Sequence, residues 1–249
     1  MLDTIDHGNV RELRLARPPA NALNPELMET FIRALIEAPE SAEAVVISGS
    51  PGMFTGGLDV PEFINYDYDQ MIQVWLLFIK MLKTIALLPV PSAFALTGHA
   101  PAGGIVMALY GDYRIMPRGK YFTGTNEVQV GIALPPTIYK ALERVVGVRI
   151  AEKIAVSGAL LTAEQALEIG LVDELAADPE ATVGRAIEWC QKILALPRLA
   201  MLSTRSLART GLHELFEDSE LHVERFVDIW FSDSAQAALK SLVDKLNKS

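Results

Sequence analysis

Three short segments carry residue types that could do chemistry. Phe54-Thr55-Gly56-Gly57-Leu58-Asp59 and Gly98-His99-Ala100-Pro101-Ala102-Gly103-Gly104-Ile105 share one local grammar: a buried strand, then glycines, then residues able to start a helix. Glycine lets backbone approach a ligand closely, and the first N–H groups of a helix have no intrahelical partner. Two such N–H groups converging on one point would stabilise an oxyanion. The same residues suit two tight turns in a compact α/β domain equally well. The third segment, Thr123-Gly124-Thr125-Asn126-Glu127-Val128-Gln129-Val130-Gly131, places one carboxylate in a polar loop flanked by Val128, Val130 and Ile132. Apolar walls raise a carboxyl pKa toward neutrality, which suits a base that must also return its proton. The competing reading is an exposed loop glutamate, and nothing local separates Glu127 from the rest of the 31 acidic residues.

The elements that must position these residues alternate short β-branched runs with helical periods, the pattern of an α/β domain. Val10 to Leu15 alternates like an edge or half-buried strand, and Ala44-Val45-Val46-Ile47 reads as a buried one. Asn24-Pro25-Glu26 supplies an N-cap, a first-turn proline and an acid, opening a helix through about Glu37. Gln70 to Leu88 has helical length, Ser92 to Leu96 resumes as a strand, and Thr162-Ala163-Glu164-Gln165 is a capping box for a helix that Gly170 stops. All 14 prolines and every one of the 17 glycines except Gly211 lie at or before Pro197, which divides a core over 1–197 from a helical region over 198–249. In that region Leu212, Leu215, Phe216, Val223, Phe226, Val227 and Trp230 form an apolar stripe, continued by Ala235, Leu239, Leu242, Val243 and Leu246. Either the body of the chain or a neighbouring subunit could cover it.

Several function classes are excluded. The 249 residues are 50% hydrophobic, enough for a sizeable core, and a net charge of −9 disfavours nucleic acid and anionic membrane as partners. The apolar run from Ile85 to Leu96 is broken by Pro89 and Pro91 and is too short to span a bilayer. The single cysteine, Cys190, permits no internal disulfide and no CxxC metal clip, which points to a cytoplasmic protein. No P-loop, G-x-G-x-x-G, G-x-S-x-G or H-E-x-x-H motif occurs, so no nucleotide cofactor and no metal is expected. His7, His99, His213 and His222 are scattered; His213 and His222 read as solvated, and His99 as packing beside a glycine turn or lining a site.

Taken in order, the motifs resemble those of the crotonase (enoyl-CoA hydratase/isomerase) superfamily over essentially the whole chain. The matching stretches are Pro18-Pro19-Ala20-Asn21-Ala22-Leu23-Asn24, Pro51 to Val60, Gly98 to Gly104 with Asp112-Tyr113-Arg114-Ile115, Asn126 to Ile132, and Ala163 to Asp173. Phe-x-x-Gly-Leu-Asp, Ala-Pro-Ala-Gly-Gly and Asn-Glu-x-Gln-x-Gly-Ile are most similar to the Δ3,Δ2-enoyl-CoA isomerases. The resemblance implies a crotonase-like α/β spiral of ββα units with a C-terminal helical trimerisation region, commonly assembled as homotrimers or hexamers. It implies an oxyanion hole from the N–H groups of Leu58 and Gly103, binding the thioester oxygen of an acyl-CoA. Gly56, Gly57, Leu58, Asp59 and Val60 would line the pantetheine and thioester, Ala20, Asn21 and Ala22 would lie beside the CoA adenine, and Asn126 would bind substrate next to the base. Coenzyme A is then part of the substrate, and no separate cofactor is required.

Hydratases of this superfamily use two glutamates. The later one matches Glu127, but the earlier one falls on Val106, so the pair needed to add water is incomplete. Moving a double bond from C3 to C2 needs one base that takes a proton from C2 and returns it at C4. The implied function is a single-glutamate 3-enoyl-CoA to 2-trans-enoyl-CoA isomerase of fatty acid β-oxidation. The alternatives are another acyl-CoA reaction of the superfamily (hydration, decarboxylation, thioester hydrolysis) and a non-catalytic acyl-CoA-binding protein.

Overall fold

The computed structural model describes residues 1–217 and 222–246. The chain opens with an antiparallel hairpin, β1 (Leu2–His7) and β2 (Val10–Leu15), and then α1 (Pro25–Glu37), whose Asn24 side chain accepts from Leu27 N. From there it winds as a spiral in which each turn lays a strand in one sheet, a short strand in a second, and then helix. The first turn is β3 (Ala44–Ser48), β4 (Gly52–Met53), α2 (Val60–Phe63) and α3 (Tyr68–Ala86). The second is β5 (Ser92–Ala95), β6 (Gly98–Pro101) and α4 (Gly103–Ala108). The third is β7 (Tyr113–Pro117), β8 (Phe122–Gly124), a 3₁₀ turn (Glu127–Val130), α5 (Pro136–Val146) and α6 (Val148–Ser157). β9 (Leu161–Thr162), α7 (Ala163–Glu168), β10 (Glu174–Ala176) and α8 (Pro179–Leu194) close the body. Four helices follow: α9 (Arg198–Ala208), α10 (Thr210–Glu214), α11 (Val223–Trp230) and α12 (Asp233–Leu246).

The larger sheet has the order β1-β2-β3-β5-β7-β10 and is parallel from β2 onward; the smaller has the order β4-β6-β8-β9. Val10 to Leu15 is therefore an interior strand. The edge is β1, whose polar sequence Leu2-Asp3-Thr4-Ile5-Asp6-His7 carries too little apolar alternation to be read as a strand, and which is held by pairing with β2. Strand alternation splits the larger sheet into two buried faces. Leu13, Val45, Ile47 and Phe94 face the main core with α1 and α3, while Val46, Ala93, Ala95 and Ile115 lie under α8 with Ala186 and Cys190. The small alanines on that second face let the helix approach closely.

Most of the apolar stripe of the C-terminal region is covered by the body of its own chain, while Leu242 and Val243 are half-buried and Leu246 at its end is exposed. Leu212, Phe216, Val223, Phe226, Val227 and Trp230 are buried in the main core, and the Phe226 ring lies 5.8 Å from that of Trp75 on α3. His213 and His222 are exposed, as expected of solvated histidines. A different face is open: Leu199 and Leu207 on α9 are 82% and 77% exposed.

Candidate functional site

Both glycine turns form, and they touch. The segment 20–23 runs beside the first turn: Gly56 N donates to Ala20 O (2.8 Å), Leu23 N to Gly57 O (2.8 Å) and Asp59 N to Leu23 O (3.2 Å). Asn21 is fully buried, with its Nδ2 donating to Phe54 O (3.0 Å) and its Oδ1 accepting from Arg17 N (2.8 Å), so its side chain holds backbone in place. Ala20 and Ala22 are half-buried beside it. Gly57 has φ +89°, and a Cβ there would lie 3.1 Å from Gly103 N, so only glycine permits this approach.

The second turn is set by Ala102, at φ +46° and ψ −122°, which precedes the first residue of α4 and costs on the order of 1–3 kcal/mol. Ala102 N donates to Gly124 O (2.9 Å), tying this turn to the end of β8. The N–H of Leu58 and that of Gly103 donate to no group among the described residues. Asp59 caps α2 by accepting from Glu62 N (3.1 Å), and Val60 is buried as its first residue.

Three residues past Gly124 comes Glu127, which opens a 3₁₀ turn where a loop was expected. The residue is half-buried, but its Oε2 is withdrawn from solvent and accepts no hydrogen bond. Burial pushes its carboxyl pKa up to about 7, opposed by a weaker backbone hydrogen bond. The neighbouring Thr125 Oγ1 and Asn126 Oδ1 are also buried without partners. Three consecutive unsatisfied polar atoms are unusual in a native interior, where such groups nearly always pair.

The walls of this turn are not quite those the sequence suggested. Ile132 is buried, but Val128 turns outward against Gly158 and is 40% exposed. Instead α12 packs on the turn: Gly131, at φ +78°, lies so close that a Cβ there would stand 2.7 Å from Ala235 Cα. Val106 is fully buried in α4 within the apolar core.

A charged network beside the first turn escaped sequence reasoning, because its members are dispersed along the chain. Arg17 Nη1 lies 2.7 Å from Asp59 Oδ2 and donates to Ala22 O (3.0 Å), and Arg17 Nη2 lies 3.6 Å from Glu62. Glu62 also accepts from the Tyr66 hydroxyl (2.6 Å), which raises that phenol to about 12. His99 packs between Tyr121 and Phe122, accepting from Phe122 N (3.3 Å), so the packing reading describes it. Among the described residues no group of three or more His, Cys, Asp or Glu side chains is placed to hold a metal ion. The open groove between α1 and α3, lined by Leu35, Ile36 and Lys83, lies away from these turns and gathers no such polar groups.

Two glycine turns with free N–H groups and a carboxylate withdrawn from solvent at Oε2, set on a ββα spiral, describe an enzyme that could hold an oxyanion beside a base. Residues 6–249 match the enoyl-CoA hydratase/isomerase family, and the chain belongs to that family. It is 29% identical to the rat mitochondrial enoyl-CoA delta isomerase 1 over 247 residues, which cover 97% of this chain and 85% of the relative. It is 30% identical to a probable enoyl-CoA hydratase of Mycobacterium avium over 207 residues, covering 82% and 78%. The crystal structure of human mitochondrial Δ3,Δ2-enoyl-CoA isomerase superposes with a TM-score of 0.93 at 27% identity, covering 99% of this chain and 98% of that one. No helix among the described residues is long and apolar enough to cross a membrane.

Proposed function

We propose that the protein isomerises 3-enoyl-CoA thioesters to 2-trans-enoyl-CoA with Glu127 as the only proton carrier. The observation that carries this reading is a lone carboxylate, buried and unpartnered at Oε2, whose pKa of about 7 lets it both accept and return a proton near neutrality. Glu127 takes a proton from C2, and the electron pair delocalises onto the thioester oxygen as a dienolate. The N–H groups of Leu58 and Gly103 hold that oxygen, each worth roughly 3–4 kcal/mol. The same carboxyl then delivers the proton to C4, leaving the double bond between C2 and C3. Val106 supplies no second carboxylate and keeps its side of α4 apolar, which supports isomerisation over hydration.

In this reading Gly56, Gly57, Asp59 and Val60 flank the thioester arm, and Ala20, Asn21 and Ala22 lie toward the nucleotide end. Asn126 borders the base. The open leucines of α9 support assembly into a homotrimer or hexamer. The reaction serves β-oxidation.

The test is to incubate the purified protein with a 3-enoyl-CoA and, separately, a 2-enoyl-CoA, resolving products by chromatography with mass detection. A conjugated 2-enoyl product with no water adduct is expected. A 3-hydroxyacyl-CoA from the 2-enoyl substrate would replace this reading with hydration, and no turnover of either would remove it.

A further inference from the structure

A second polar site lies beyond the end of α4 opposite Gly103, past a helix about 9 Å long. There an open cavity of about 350 Å³ is lined by Asp112, Arg114, Arg144, Arg205 and Arg209. The guanidinium groups come from three separate elements: Arg114 from β7, Arg144 from α5, and Arg205 with the adjoining Arg209 from α9 and its end. Two carboxylates oppose them. Asp112 is already saturated: its Oδ1 accepts from Arg209 Nη1 (2.8 Å) and Arg205 Nε (3.1 Å), and its Oδ2 from Arg205 Nε (3.0 Å) and Ser92 N (2.8 Å). Asp173 is committed to Arg114, accepting from its backbone N (2.8 Å) and its Nη2 (3.1 Å).

Four fixed positive charges therefore face two negative ones in a chain whose net charge is −9. Arg144, at the exposed rim, has only a long bond of 3.4 Å to Ala208 O. Arg114 is buried to more than nine-tenths, and its Nε has no acceptor. The excess of two positive charges raises the electrostatic energy of the cavity and attracts a counter-ion. Arg205 Nη1 donates to Leu88 O (2.8 Å) and Arg209 Nη2 to Ala86 O (3.0 Å) and Tyr110 O (2.6 Å), so these two supply charge, while Arg144 and Arg114 Nε hold the donors left for a ligand; guanidinium forks match phosphate oxygens.

We propose that this cavity binds a compact phosphate-type oxyanion, at a site separate from the acyl-CoA site. The experiment is calorimetric titration and thermal melting of the full chain with inorganic phosphate, at constant ionic strength set with chloride, for the wild type and for Arg144→Gln. Arg144 belongs to neither glycine turn nor to the Glu127 segment, and at the exposed rim its replacement leaves the core pairs intact.

The expected result is saturable phosphate binding and a raised melting temperature in the wild type, with binding weakened about tenfold or more in Arg144→Gln and activity unchanged. The wild-type shift should persist with the acyl-CoA site saturated by CoA. Loss of the shift under CoA would place the phosphate in the CoA site and overturn the proposal. So would equal shifts in both proteins, or no saturable binding by the wild type. Dissociation of an oligomer by Arg144→Gln without any phosphate response would assign the cavity to an acidic side chain of a second copy.

Discussion

Replacing Glu127 by glutamine should abolish turnover and, above neutral pH, make the protein more stable. In the unfolded chain the carboxyl titrates near its ordinary 4.5, and in the native protein burial raises it to about 7. Below pH 4.5 both states are protonated and burial carries no charge penalty. Between those values the unfolded state ionises first and native stability falls; above about 7 the penalty is complete. At about 1.36 kcal/mol per tenfold change in proton affinity, the raised pKa corresponds to about 3 kcal/mol at pH 8, and under about 1 kcal/mol at pH 5. Glutamine is neutral and nearly isosteric, so Glu127→Gln removes the penalty while losing about 10² to 10⁴ or more in rate. The assay is denaturant unfolding of both proteins at pH 5 and pH 8 beside isomerase turnover. A stability difference independent of pH would refute the desolvated carboxylate, and retained turnover would refute its role as base.

The remaining predictions concern the parts that support this carboxylate. The wild-type kcat/KM should rise with pH and level off above about 7, because the base must be ionised; a profile already flat from pH 5 would contradict the raised pKa. Gly57→Ala should lower kcat by about 10² to 10³, since its φ of +89° and the 3.1 Å approach to Gly103 N force the two turns apart; steady-state kinetics with circular dichroism separates this from unfolding. Gly131→Ala should push α12 off the Glu127 turn, admit water, and move the midpoint of the pH–rate profile to lower pH; an unmoved midpoint would show that α12 does not control burial of the carboxylate. Asp112→Ala should destabilise the protein by about 3–5 kcal/mol in chemical unfolding, because it leaves Arg205 and the buried Arg209 without their carboxylate.

Features with local causes were legible along the chain. Asn24 with Pro25 starts a helix, and Thr162 with Gln165 caps another, because capping bonds join residues only a few positions apart. The glycines at 56–57 and 103–104 marked close backbone approach, while the convergence of the two turns was implied only by the resemblance to a known family. β1 stayed hidden because its pairing with β2, rather than its own alternation, makes it a strand. The Arg17–Asp59–Glu62 network was equally hidden, since its members are brought together only when segment 20–23 lies along the first glycine turn.

By itself the sequence determined the alternation of strands and helices and the placing of the two glycine turns, which follow from residue types and short-range geometry. The ββα spiral and the valine standing at 106 in place of a second glutamate were implied by the resemblance of its motifs to a known family. The tertiary structure alone decided how closely Gly57 meets Gly103, that most of the C-terminal apolar stripe packs on its own body, and that Glu127 is desolvated in a turn on which α12 packs. It also decided that arginines from three elements share one cavity. Burial and convergence depend on which distant segments exclude water from a point, and no local pattern carries that information.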